Sequence, residues 1–109
     1  MSKETTAPRV VVTGLGTINS HGIGIDKLWG GVLSGVSGIR KIESFDVSEL
    51  TSKVGAEVLD FEVSDFMDFK EARRNDRFTH FAVASSRLAI KDAGIDLEAI
   101  DAERFGIYV

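Results

Sequence analysis

The sequence predicts an α/β protein. Two short apolar runs, residues 9–13 and 104–109, have the composition of buried strands. Between them lie two stretches of helical period, beginning at Ile25 and near Asp76. Long helices between hydrophobic strands imply layers of helix and sheet. With 109 residues, the chain is long enough for one domain and too short for two.

The elements follow in order. Val10, Val11 and Val12 are β-branched and are closed by Gly14 and Gly16, which predicts a strand buried on both faces and then a tight turn. Ile25, Leu28, Trp29, Val32 and Leu33 recur at the spacing of one helix face, and Gly35 is placed to end that helix. Gly30 and Gly31 weaken it by about 1 kcal/mol each relative to alanine, and would allow a neighbour to pack closely. Residues 37–50 form an irregular loop. Alternation across 53–58 predicts an edge strand or hairpin arm. Phe61, Phe66 and Phe69 are expected to anchor a long surface segment to the core. Helical period returns with Phe78, Phe81, Ala82, Ser85, Leu88 and Ala89, and Gly94 reads as the stop. Residues 104–109 form the second buried strand. Ending on Val109, it would present an unpaired apolar edge, so the expectation is a domain cut short.

Composition narrows the function. Hydrophobic residues at 43% and charged residues at 28% exclude a disordered chain. No apolar run approaches the roughly 20 residues that span a bilayer. Residues 1–8 read as a disordered polar tail without a signal core, and the expected location is cytoplasmic. The absence of cysteine excludes disulfides and thiolate chemistry within this sequence, and two histidines make a poor zinc site. A net charge of -4 gives no reason to expect nucleic acid.

Three features could carry chemistry. Thr13-Gly14-Leu15-Gly16 after a strand invites a dinucleotide-binding reading, but Asn19 replaces the third glycine and the structural turn is favoured. Lys70, Arg73, Arg74 and Arg77 form a basic cluster carrying +2 over residues 70–77. On one continuous helix this face would overlap the apolar stripe of Phe78, Phe81 and Ser85. A break near residues 74–76 is therefore predicted, with Asn75 capping the second helix and the cations on an exposed turn. That turn is either a solvated surface or a docking patch for an acidic partner. His21 and His80 lack a nucleophile partner; His80 reads as a half-buried packing or hydrogen-bonding residue. Asp65 and Asp68 read as turn and cap residues.

Taken in order, these segments resemble the N-terminal part of the β-ketoacyl-acyl-carrier-protein synthases, most closely the synthase II type. The resemblance is carried by 9–16, Trp29, 33–39, Phe45-Asp46, Asp60-Phe61, the block 70–78 and Asp92-Ala93-Gly94-Ile95. It runs from residue 9 to the end, residues 9–109 being one partial synthase domain. Asn19-Ser20-His21-Gly22 departs from the family's proline-containing turn. The resemblance implies a partial thiolase-like layered α/β fold and a homodimer in the full-length enzyme. It implies decarboxylative condensation of malonyl-carrier protein with an acyl thioester, without metal or organic cofactor. The family's catalytic cysteine and histidines have no counterparts in this chain, so this chain alone is expected to be inactive. One role carries over: the positions matching Lys70, Arg73 and Arg74 help bind acyl carrier protein. The alternatives are a non-catalytic carrier-binding module and a nucleotide-binding α/β domain.

Overall fold

The computed structural model describes residues 7–108. A two-residue hairpin comes first, with β1 (Ile18–Asn19) antiparallel to β2 (Gly22–Ile23) and Ile18 opposite Ile23. Its turn is held by the Asn19 side chain, whose Oδ1 accepts from the His21 amide at 2.8 Å. Helix α1 (Ile25–Ser34) follows and stops where the sequence places its stop. Gly35 adopts φ 67°, a left-handed conformation costly to any residue with a Cβ, and its amide reaches the Val32 carbonyl at 3.2 Å.

The expected hairpin arm is present: β3 (Arg40–Lys41) pairs antiparallel with β4 (Val54–Gly55). Side chains tie down the intervening loop. Lys53 Nζ donates to the Val47 carbonyl at 2.6 Å, and the Glu57 carboxylate accepts from the Ser44 hydroxyl and the Glu43 amide. Those bonds, the serine's foremost, hold the Glu57 carboxyl below its ordinary pKa. A lowered folded-state pKa stabilises above the unfolded value, so this loop tie is lost as pH falls through the carboxylate range.

Two further helices complete the order. The single turn α2 (Phe69–Ala72) precedes α3 (Arg77–Ala93), with Gly94 at φ 64° closing α3 as predicted. Before them, Val63–Asp65 makes a 3-10 turn capped by Glu62; after them, Ala102–Arg104 makes another capped by Asp101.

Both expected buried strands need correction. Residues 9–13 form no strand, and Val10 and Val12 are 89% and 79% exposed. Residues 105–108 are likewise unpaired, with Ile107 78% exposed, and Val109 lies outside the described residues. Neither run has a strand beside it among the described residues, and an unpaired ribbon cannot be buried on both faces. The terminal tail expected at 1–8 lies outside the described residues up to residue 6. The apolar face of α1 is only partly covered: Ile25 and Leu28 are half-buried, whereas Trp29, Val32 and Leu33 are exposed. Phe78, placed on the apolar stripe of α3, is exposed as well.

The core is correspondingly small. Among the described residues the buried hydrophobic positions are Val47, Met67, Ala72 and Ala84. The accessible surface is 9362 Å², where a compact chain of this mass would expose about 5,900 Å². The radius of gyration is 18.8 Å, against about 13 Å for a compact domain of this length. These are helices and small hairpins whose apolar faces are open, rather than a closed set of layers.

Candidate functional site

The basic cluster sits where the chain turns from α2 into α3. Asp68 starts α2 by accepting from the amides of Lys70 and Glu71 at 2.8 and 3.0 Å, the cap role read from the sequence. Ala72 is buried and pins this turn to the protein. Half-buried His80 reinforces it: its Nε2–H donates to the Ala72 carbonyl at 2.9 Å, so His80 serves as a hydrogen-bond donor from α3. The predicted break then occurs between Arg73 and Asp76. The capping residue is corrected by one position. Asp76 occupies the N-cap of α3, while the Asn75 side chain instead donates to the Glu71 carbonyl at 2.9 Å. Asn75 closes the end of α2 and leaves the start of α3 to its neighbour.

The break separates the cations from the apolar face of α3. Lys70, Arg73 and Arg74 are exposed and, together with Phe69, line a shallow recess on the surface. Phe69 is not the core anchor expected of it. It is 74% exposed, and the Arg73 guanidinium carbon lies 5.6 Å from its ring centroid. The other two phenylalanines do anchor: Phe61 stacks on Phe66 at 5.6 Å and meets Phe81 edge-on at 5.0 Å. The sequence feature that separates Phe69 from the other two is its place between the capping Asp68 and the charges that begin at Lys70.

Arg77 belongs to the cluster by sequence and to the scaffold by geometry. Its guanidinium carbon lies 4.9 Å from the Phe81 centroid and 5.7 Å from that of Phe61, and its Nη2 donates to the Val58 carbonyl at 2.6 Å. It fastens the 58–61 segment to α3. Arg77→Ala is expected to destabilise the protein by about 1–2 kcal/mol, combining a charge-assisted hydrogen bond with cation–π contacts at an exposed site. Urea unfolding checks this, and an unchanged midpoint would return Arg77 to the solvated surface.

The glycine motif has a packing role. A Cβ on Gly16 would lie 2.6 Å from the Ala89 nitrogen and 2.9 Å from Leu88 Cβ, and one on Gly14 would lie 2.5 Å from the Ala93 nitrogen. Residues 14–16 therefore lie flat against α3, and the Leu15 amide donates to Asp92 Oδ2 at 2.8 Å. Both glycines face the flank of α3 and not the start of α1, where a dinucleotide's phosphates would have to sit. His21 packs its ring on Gly31, the close approach anticipated for one of the two α1 glycines. Among the described residues no three His, Cys, Asp or Glu side chains group as metal ligands. No helix among them is long and apolar enough to cross a membrane.

The family model described as β-ketoacyl synthase, N-terminal domain, matches residues 7–109. The chain belongs to the β-ketoacyl synthase family, as an N-terminal segment of the synthase II type. Its relatives include 3-oxoacyl-acyl-carrier-protein synthase 2 of Synechocystis sp. strain PCC 6803, 44% identical over 93% of this chain and 24% of the relative. The enzyme of the same name from Staphylococcus aureus strain COL is 39% identical over the same shares. Among solved structures, the ishigamide ketosynthase/chain length factor matches with a TM-score of 0.73 and 34% identity, over 81% of this chain and 22% of that one. The chain thus spans about a quarter of the length of the relatives it matches.

Proposed function

We propose that this chain forms the N-terminal part of a 3-oxoacyl-acyl-carrier-protein synthase, and that Lys70, Arg73 and Arg74 dock its acyl carrier protein. Such an enzyme elongates fatty acids in the cytoplasm. Malonyl-carrier protein loses carbon dioxide, and the resulting carbanion attacks the carbonyl of an enzyme-bound acyl thioester, expelling the thiolate. Without a cysteine this chain supplies no such thiolate. Its contribution is substrate delivery and scaffold. The observation that carries the reading is the placement of three exposed cations on one rigidly capped turn, within a chain of net charge -4.

The same reading assigns residues 9–109 to one incomplete synthase domain of layered, thiolase-like form, homodimeric in the full-length enzyme. The exposed valines of 10–12 and the open face of α1 favour it, since they need neighbouring layers to cover them. The small core disfavours a stand-alone carrier-binding module.

Salt provides the test. Binding of acyl carrier protein to a synthase containing this segment should weaken steeply between about 0.1 and 1 M salt, where the Debye length falls from about 10 Å to about 3 Å. Affinity independent of salt would mean that these cations do not meet an acidic partner.

A further inference from the structure

Deepening that reading and resting on it, we infer that Phe69 is an apolar anchor at the centre of the docking surface. The partner it fits is an acidic face of the carrier protein that carries an apolar side chain between its carboxylates. A lone exposed phenylalanine would need no explanation. This one differs in what surrounds it. Lys70, Arg73 and Arg74 line one recess with it, and the Arg73 guanidinium lies over its ring at 5.6 Å. The ring makes no pairing with the Phe61, Phe66 and Phe81 cluster that holds the neighbouring segment. Its own turn is held in place independently, by Asp68 at its start and by buried Ala72, whose carbonyl accepts from His80. The platform is therefore ordered before a partner arrives, and little conformational entropy is lost on docking.

Phenylalanine and arginine are both enriched at protein interfaces relative to the rest of the surface. Carboxylates from the partner would meet the three cations at the edge of the recess and set approach and orientation. An apolar side chain between them would cover the ring that Arg73 leaves open. The two contributions differ in their response to salt. Ion pairing is screened, whereas burial of the ring is not.

The experiment measures the dissociation constant for acyl carrier protein at low and high salt, using a full-length synthase containing this segment. Phe69→Ala should weaken binding about tenfold at both salt concentrations, leaving the slope of affinity against salt unchanged. Phe69→Leu, which keeps an apolar group on the same exposed turn, should recover most of the loss. Arg74→Gln should instead flatten the salt slope. Undiminished affinity in Phe69→Ala, alongside a flattened slope in Arg74→Gln, would overturn the anchor and leave the docking reading intact. A Phe69→Ala loss that vanishes at high salt would also overturn it, since the ring would then act only by holding the charge of Arg73. Unchanged binding in all three variants would remove the docking reading itself.

Discussion

Reversing the charges of Arg73 and Arg74 to glutamate in the full-length enzyme should raise the apparent KM for acyl-carrier protein about tenfold or more. Turnover of a small acyl thioester should stay near normal. A single exposed salt bridge contributes only about 0–1 kcal/mol. Reversal does more than delete a pair, because it sets like charge against an acidic partner and slows the approach as well as the binding. The fold should tolerate the change. Both side chains are exposed, and neither side chain takes part in the bonds that hold α2 in place, which come from Asp68, Asn75 and His80. Equal losses on both substrates would mean that these arginines support the fold, and an unchanged KM for carrier protein would return them to a solvated surface.

Gly16→Ala should be among the most damaging single methyl additions in the segment. The new Cβ would press on backbone atoms of α3 near Ser85 and Ala89, which cannot move aside as a flexible side chain would. Overpacking of this kind costs about 1–3 kcal/mol, and a rigid backbone neighbour favours the upper end. Gly30→Ala supplies the contrast. Nothing lies within 4 Å of a Cβ built there, and the residue sits inside α1. Replacing a helical glycine by alanine should stabilise by up to about 1 kcal/mol. Denaturant midpoints of the two variants should move in opposite directions, and a tolerated Gly16→Ala would contradict the close contact of residues 14–16 with α3.

What the sequence revealed depended on the range of the interaction. The ends of α1 and α3 were legible because a glycine at a left-handed stop is a local requirement, met at Gly35 and Gly94. The break before α3 was legible because a basic face and an apolar face cannot share one stripe of a helix. Long-range contacts were not. Gly14 and Gly16 resemble a phosphate-binding turn when only their neighbours in sequence are considered, and their reason becomes visible once α3 lies against them. The valines of 10–12 have strand composition, but composition records what a segment would bury, and no pairing partner stands beside it among the described residues. Asn75 and Asp76 are both good caps, and only the backbone decides between them. At the candidate site, Lys70, Arg73 and Arg74 were legible as charge. The scaffold role of Arg77 depends on where Phe61 and Phe81 sit.

The most direct test of the account is a reciprocal charge exchange. The Arg73→Glu, Arg74→Glu enzyme is paired with a carrier protein whose acidic surface residues have been changed to lysine, and affinity is measured for all four combinations. If this turn receives the carrier protein, each altered partner binds its unaltered counterpart poorly, and the doubly altered pair recovers affinity by about tenfold, a coupling of about 1.4 kcal/mol. Losses that simply add, with no recovery in the exchanged pair, would contradict the claim that Lys70, Arg73 and Arg74 meet the carrier protein's acidic face.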